Sequence, residues 1–405
     1  MQGHLTKRSK SSWTIVLTLG RGADGKHRQK WITIRGTKRD AERELARLLN
    51  DQNQGTFVAP SKLSFAEYAE RWLAFVQTRV APKTFERYDE IMHKHLAPAL
   101  GETPLSTLQP LQIQAHYSEA LKNGRRPRPV AKPEGDIESE TSAIERPAAV
   151  PRGLSPRTVL HHHRVLREAL RQAVAWRLLA VNPADAVEPP RPPQREITVP
   201  TDDEVTKLLD AAKGSRLHAP LVVSVATGCR RGELLAARWS DLDLEANTLA
   251  IRRALEETRA TGVSFKTPKT AKSRRVIVLS PTLVAILRRH RAEQARERLA
   301  LGAAYQDNDL VFSDPDGQPW RPGKFTDSFA DLARKLKIKT HLHALRHYHA
   351  TALLKSGTHP KIVSERLGHA TVGITLDTYS HALPSLQEQA AAKFETALAD
   401  LGVKA

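Results

Sequence analysis

Apolar and polar positions along the chain fall into blocks with different periods. Trp13-Thr-Ile-Val-Leu-Thr-Leu19 and His27–Arg35 have the β-branched and aromatic content of strands. Residues 3–8 predict an edge strand beside them, and a helix follows over about 38–50. From Ser64 the period lengthens to that of a helix. Ser64-Phe-Ala-Glu67 is a capping box, in which the two polar side chains satisfy free N–H groups of the first turn. The helix it opens runs to about 78 and presents Phe65, Tyr68, Ala69, Trp72, Leu73 and Phe75 on one face. Further helices are expected over about 83–95 and 110–123. Another starts at Ser155-Pro156 and runs to about 179, with Val159, Leu166, Leu170 and Val174 in phase. Residues 124–153 are rich in Pro, Glu, Arg and Ala and read as a disordered or extended insertion.

Glu188-Pro-Pro-Arg-Pro-Pro-Gln194 is a stiff linker and a domain boundary. Thr201-Asp-Asp-Glu204 is a second capping box, predicting helices over 202–213 and 217–227. Strands are expected at 248–254, 262–267 and 274–279. Helices are expected at 281–300, at 322–336 and within the stretch 340–381. A last alanine-rich helix over 385–400 carries Leu386, Phe394 and Leu398. It either packs on its own domain or docks on a neighbouring copy.

Composition narrows the function. The 405 residues include 63 Lys and Arg against 44 Asp and Glu, a net charge of +19, with a pI near 10.1. An excess of that size favours an anionic polymer, and nucleic acid first. Residues 1–55 alone hold twelve Lys and Arg against five Asp and Glu. A three-stranded sheet with one helix and a basic face could lay strands into a DNA groove. No long apolar stretch predicts a membrane span, and the N-terminus MQGHLTKRSK lacks the apolar core of a secretory signal. The single cysteine, Cys229, rules out an intramolecular disulfide and suits a reducing cytoplasm. His161-His162-His163 resembles a metal tract, but adjacent helical residues point in different directions, so no metal is expected. Gly20-Arg-Gly22-Ala-Asp-Gly25 matches GxGxxG, yet a strand follows where a dinucleotide site needs a helix.

Three stretches carry the candidate chemistry. In Thr340–His381, Arg346 can hold two phosphate oxygens at once, and His343 lies three residues before it on the same helical face. His369 follows Leu367-Gly368, and Tyr379 lies ten residues on, where a phenolate can serve as a nucleophile. Upstream, Arg230 sits in a glycine turn at a helix start, a favourable place for a phosphate, and Glu233 three residues later could brace an arginine or a histidine. Between two predicted strands, Lys266-Thr-Pro-Lys269-Thr-Ala-Lys272-Ser-Arg-Arg275 forms a cationic turn. From there Lys269 can reach a leaving oxygen as a proton donor, with Lys272 as its competitor.

In TGCRRGELLAARWSDLDL, the TPKTAKSRR hairpin, HALRH, LGHA and TLDTYSH, in this order and spacing, the chain resembles the tyrosine recombinases of the phage integrase type. The resemblance covers about residues 55–390, and residues 1–55 look like an arm-type DNA-binding domain. It implies a multidomain α+β protein. The parts would be a β-sheet-plus-helix domain at 1–55, a four-helix SAM-like core-binding domain at 63–187, and a mainly α catalytic domain with a small three-stranded antiparallel sheet at 195–405. The insertion at 124–153 departs from the family pattern. The resemblance makes Arg230, Lys269, His343, Arg346, His369 and Tyr379 the active-site set.

It also implies a site-specific recombinase that cuts and rejoins DNA through a 3′-phosphotyrosine, integrating or excising a phage or other mobile element. In that reading Arg230 and Arg346 clamp the phosphate, His343 takes the proton of Tyr379, Lys269 protonates the 5′ oxygen, and His369 hydrogen-bonds the phosphate or Tyr379. Neither metal nor cofactor is called for. The partners would be double-stranded DNA at core-type and arm-type sites, four protomers together, and an excisionase or host DNA-bending factor. A type IB-like topoisomerase, a resolving recombinase and a non-catalytic DNA-binding regulator are the competing readings.

Overall fold

A computed structural model describes residues 3–9, 11–21, 27–53, 62–124, 153–193, 198–267 and 274–379, together with 391, 394 and 395. The chain divides into two compact units, residues 1–194 and 195–405.

The first unit opens with an antiparallel sheet of β1 (Gly3–Ser9), β2 (Ser12–Arg21) and β3 (His27–Arg35), in the order β1-β2-β3. Leu5, Ile15 and Ile32 stand opposite one another across the three strands. That face buries Ile15 and Leu17 against Leu45, Leu48 and Leu49 of α1 (Lys38–Asn53). Alternation sends the next row, His4, Val16 and Trp31, to the other face. There Trp31 is 66% exposed, and Arg8 donates from Nη1 to Thr33 Oγ1 at 3.2 Å.

The helical part has a separate core. The Ser64–Glu67 capping box forms as its sequence predicts: Ser64 Oγ accepts from the Glu67 N–H at 3.2 Å and Glu67 accepts from the Ser64 N–H at 2.9 Å. It opens α2 (Phe65–Gln77), which buries Phe65, Tyr68, Ala69, Trp72, Leu73 and Val76. Val76 takes the inward place expected for Phe75. Phe75 instead packs edge-on to Trp176 at 4.9 Å, with the Arg79 guanidinium over its ring.

The helix expected at 83–95 runs as α3 (Pro82–Ile91), a π-helical turn Met92–Leu96, and α4 (Ala97–Leu100). α5 (Pro110–Asn123) and α6 (Pro156–Ala175) complete the set. Ser155 caps α6, with Pro156 at its first position. Of the expected insertion, all but Gly124 and Gly153 lies outside the described residues.

In the second unit, Thr201 and Glu204 form a capping box that opens α7 (Asp202–Ala212). α8 (His218–Thr227) and the short α9 (Arg231–Leu235) follow. The strands then differ from expectation. A three-stranded antiparallel sheet is present, but it is β4 (Leu242–Asp243), β5 (Thr248–Ile251) and a later strand, β8 (Arg275–Val278). The expected strand 248–254 breaks at Arg252-Arg253, and β6 (Ala254–Thr258) pairs only with β7 (Gly262–Lys266) as a separate hairpin. β8 pairs with β5. The lysine-rich turn therefore links two sheets rather than two paired strands. Arg253 turns instead to the buried carboxylate of Asp241, 3.0 Å away, which takes that residue out of the ladder.

α10 (Pro281–Leu301), α11 (Pro322–Lys335), α12 (Leu342–Lys355), α13 (Pro360–Leu367) and α14 (Val372–Tyr379) follow. The main core gathers Leu208, Leu221, Leu235, Ile277, Leu287, Phe325, Phe329 and Leu345. A smaller core of Ala350, Leu354, Val363 and Leu367 receives Tyr379. Of the helix expected at 385–400, only 391, 394 and 395 are described, all helical. No helix among the described residues is long and apolar enough to cross a membrane. Among them, no group of three or more His, Cys, Asp or Glu side chains is arranged to hold a metal.

Candidate active site

Two left-handed glycines shape this region. Gly228 ends α8 at φ 63°, and a Cβ there would meet the His349 ring and Leu367 at 2.7 Å. Gly368 ends α13 at φ 69°, with the Arg275 guanidinium 2.9 Å from where a Cβ would stand. Both positions combine a backbone that favours glycine with no room for a side chain. Each glycine hands a functional residue to the site just downstream, Arg230 in one case and His369 in the other.

Arg230 stands at the N-cap of α9. Its N–H donates to Glu233 Oε2 at 3.0 Å and its Nη1 to Glu233 Oε1 at 2.7 Å. Its Nη2 donates to the Gly368 carbonyl at 3.0 Å, which ties the two glycine turns together. Glu233 is buried and also accepts from Arg275 Nη2 at 2.8 Å. Burial alone would raise its pKa. The hydrogen bond and charge of Arg275, joined by the charge of Arg230, outweigh burial and hold the carboxyl below its usual range. Arg275 is fixed in turn by its Nε, which donates to the Arg366 carbonyl at 2.7 Å.

α12 supplies the second arginine. His341 caps it, with Nδ1 accepting from the Ala344 N–H at 2.9 Å, while Leu342 and Leu345 turn into the main core. Arg346 is buried as well. Its Nη1 donates to the Gly228 carbonyl at 2.7 Å and its Nη2 to the Leu367 carbonyl at 2.8 Å. Burial, then the nearby charge of Arg230, lowers its pKa to about 10, so it stays cationic at neutral pH. A guanidinium has five N–H donors. Two are spent on holding the side chain, and three remain for a ligand.

The histidines and the tyrosine complete the picture. His369 Nδ1 lies 2.8 Å from Thr375 Oγ1 of α14. Its pKa is pushed down to about 4 by burial and by Arg346, Arg230 and Arg275, so the ring is neutral. Tyr379 closes α14, with 1% of its surface exposed. Burial raises the pKa of its phenol, and the charge of Arg346 works against that rise. Its hydroxyl lies 2.8 Å from Nδ1 of His347.

The motif reading passed over His347. It is one residue beyond Arg346 and one helical turn beyond His343, so helical phase alone would have put it on the same face. His343, the histidine the motif selects, is exposed, and its ring meets that of His347 edge-on at 4.9 Å. Lys269 and Lys272 lie outside the described residues. Of the predicted set, the structure thus brings Arg230, Glu233, Arg346, His369 and Tyr379 together, with His343 at the rim. Three arginines, Arg230, Arg275 and Arg346, share one buried carboxylate, Glu233. Such a surplus of fixed donors, some with N–H groups to spare, suits a phosphate group whose charge grows during reaction.

The sequence matches the phage integrase family over residues 199–385 and the N-terminal SAM-like domain of phage integrases over residues 64–121. It is 27% identical to a XerC-like tyrosine recombinase of Caldanaerobacter subterraneus subsp. tengcongensis, covering 95% of this chain and 96% of that protein. It is 26% identical to an integrase of Streptomyces ambofaciens, covering 91% and 88%. Residues 82–397 of the Tn1549 transposon integrase, solved with a circular intermediate DNA, superpose with a TM-score of 0.62 at 18% identity, over 81% of this chain and 98% of that one. A lambda integrase dimer bound to a core site gives 0.54 at 17%, over 78% and 95%. At these identities the two superpositions are a likeness of fold.

Proposed function

The chain belongs to the phage integrase family of tyrosine recombinases, and from that premise we propose how this site-specific DNA recombinase cuts and rejoins its substrate. Arg230 and Arg346 clamp the non-bridging oxygens of one phosphodiester with the N–H groups their scaffold leaves free. Phosphoryl transfer is catalysed mainly by positioning and by neutralising charge, and donors fixed in advance do both. Tyr379 attacks phosphorus and forms a 3′-phosphotyrosine. A neutral histidine of α12 takes its proton. Lys269 protonates the departing 5′ oxygen, and His369 donates to the phosphate. The covalent link conserves the energy of the broken bond, so rejoining follows by reversal.

The observation that carries this reading is the cross-bracing of distant motifs. Arg346 is held by the carbonyl of Gly228, 118 residues upstream, and Arg230 by that of Gly368, 138 residues downstream. The tyrosine hydroxyl rests on the residue next to Arg346. Nothing in an ordinary packing core calls for two arginines fixed in this way beside a buried phenol.

The chain binds double-stranded DNA, and its three parts divide that work. Residues 195–405 form the catalytic domain. Residues 63–187 form the core-binding domain. Residues 1–55 form an arm-type domain whose open face of His4, Arg8, Trp31 and Thr33 enters a groove at distal sites. Four protomers act on two duplexes in a bacterial cytoplasm, and an excisionase or a host DNA-bending factor sets the direction. The reaction moves a phage or other mobile element into or out of a chromosome.

Junction sequencing in the host tests this. Excised circles and rejoined flanks around the gene are expected in the wild-type strain and absent from a Tyr379→Phe strain. Equal yields in both strains would remove Tyr379 from the chemistry.

A further inference from the structure

We infer that His347, rather than His343, is the residue that holds the hydroxyl of Tyr379 and takes its proton during DNA cleavage. This rests on the reading of Tyr379 as nucleophile. Proton transfer needs the acceptor within about 2.6–3.2 Å of the donor oxygen. His347 Nδ1 is at 2.8 Å from the Tyr379 hydroxyl. The other candidates face elsewhere. His369 Nδ1 is paired with Thr375, and Arg346 is a donor only. His343 shows its ring edge-on to His347 and lies at the exposed end of the pair.

His347 is also in the right protonation state. The groups facing it are His343, His341 and Arg346 of its own helix and the phenol of Tyr379 from α14, and its charge is felt at His369 beyond α13. Burial, then the neighbouring His343, His341 and Arg346, pushes its pKa down to about 4, so at neutral pH the ring is uncharged. With its proton on Nε2, Nδ1 offers a lone pair to the O–H. Bound phosphate changes the balance. Its negative charge offsets Arg346 and Arg230, and so raises the basicity of the imidazole when the substrate arrives.

Tyr379 Oη bonds to phosphorus while its proton passes to His347 Nδ1. The P–O5′ bond breaks with its electron pair on O5′, which takes a proton from the general acid. In the resealing step the O5′ hydroxyl attacks phosphorus and gives its proton back to the general acid, the Oη–P bond breaks, and His347 returns the proton to Oη. His343 packs against the ring edge and orients it.

The test uses purified full-length protein and a nicked duplex carrying the core site read from the junctions, with covalent adducts counted on denaturing gels. His347→Ala should lose about 10²-fold or more in the rate of adduct formation, within the range for a general base. Its rate should keep rising with pH where the wild type levels off. Replacing Tyr379 by 3-fluorotyrosine, a more acidic phenol, should restore much of the loss in His347→Ala and change the wild type little. His343→Ala should keep the wild-type pH profile.

A His347→Ala protein that cleaves as fast as the wild type, or faster, would overturn the inference and mark the contact as a restraint on the tyrosine. Loss of rate without fluorotyrosine rescue or a changed pH profile would overturn it too, leaving a packing role. Adducts formed by Tyr379→Phe would overturn the reading of the site itself, and this inference with it.

Discussion

Glu233 is the residue on which both the stability and the alignment of the site turn, and Glu233→Gln is the perturbation that exposes this. The wild-type carboxylate is 4% exposed and accepts three hydrogen bonds: from the Arg230 N–H, from Arg230 Nη1 and from Arg275 Nη2. Glutamine keeps the shape, but one of its two terminal atoms becomes an N–H₂ donor facing a guanidinium. The Arg275 side chain is as buried as the glutamate, with 7% of its surface exposed. Arg230 is partly in solvent, and its share is discounted for screening. Removing one partner of a buried ion pair costs about 3–5 kcal/mol, because a desolvated charge is left behind. For a unit of some 150–250 residues, each kcal/mol moves the melting temperature by about 2–4 °C.

The expected fall is therefore about 6–20 °C, from the lower and upper products of those ranges. Calorimetry of the full chain reads it, and only the transition of residues 195–405 should move. The pH dependence supplies a second signature. The folded pKa of Glu233 is depressed, so its contribution is complete above the unfolded value, about 4.3. It drains away as pH falls through the lower folded value. The gap between wild type and Glu233→Gln should stay constant from pH 8 to 5 and narrow below about 4.3. A shift under 2 °C, or a gap that does not narrow in acid, would refute the argument and reduce the Glu233–Arg275 pair to a surface ion pair.

Two further outcomes follow from the same reasoning. Lys269→Ala should slow cleavage more than Lys272→Ala, and a substrate with sulfur in place of the 5′ oxygen should restore Lys269→Ala, since a thiolate leaves without a proton; the reverse order would transfer the role to Lys272. In the helical unit, His162 is fully buried with neither ring nitrogen partnered, and it stacks at 4.4 Å on His95 and 5.8 Å on His116. Burial, then the neighbouring histidines, lowers its pKa to about 3, and burial then His95 lowers that of His116 to about 4. The unfolded histidines titrate near 6.5, so the unfolded chain gains protons first and stability falls as pH drops below that value. One such histidine costs about 2 kcal/mol at pH 5. The melting temperature of this unit should fall between pH 7.5 and 5.0, and fall less in His162→Leu; equal falls in the two proteins would count against it.

How much of this was legible in the sequence depends on how local each feature is. The capping boxes at Ser64 and Thr201 were readable because both partners lie within one helical turn. Helix phase placed most of the α2 face, and failed only at Val76 against Phe75, where two adjacent apolar residues compete and Trp176, a hundred residues on, decides. Strand partners were not readable. The run 248–258 is continuous in composition, and it divides only because Arg253 has a buried carboxylate to meet in Asp241. Glu233 was expected to brace an arginine or a histidine, and the sequence could not show that it would brace two arginines, since Arg275 comes from a strand 42 residues away.

The same distinction explains why the site's residues were nameable while its mechanics were not. The motifs supply side chains, but the groups that aim the arginines are the carbonyls of Gly228, Leu367 and Gly368. Every residue carries a carbonyl, so a sequence never advertises which ones are used. What it does advertise is the glycine that lets the chain turn left-handed and bring the carbonyl inward. The TG and LG pairs ahead of Arg230 and His369 are therefore structural parts of the bracing that holds both arginines. A Cβ at either glycine would displace the His349 ring and Leu367, or the Arg275 guanidinium, and each of these packs on the scaffold that holds an arginine. The site works as a brace between two turns, and the tyrosine on α14 can be placed against α12 because that brace fixes where α12 and α13 stand.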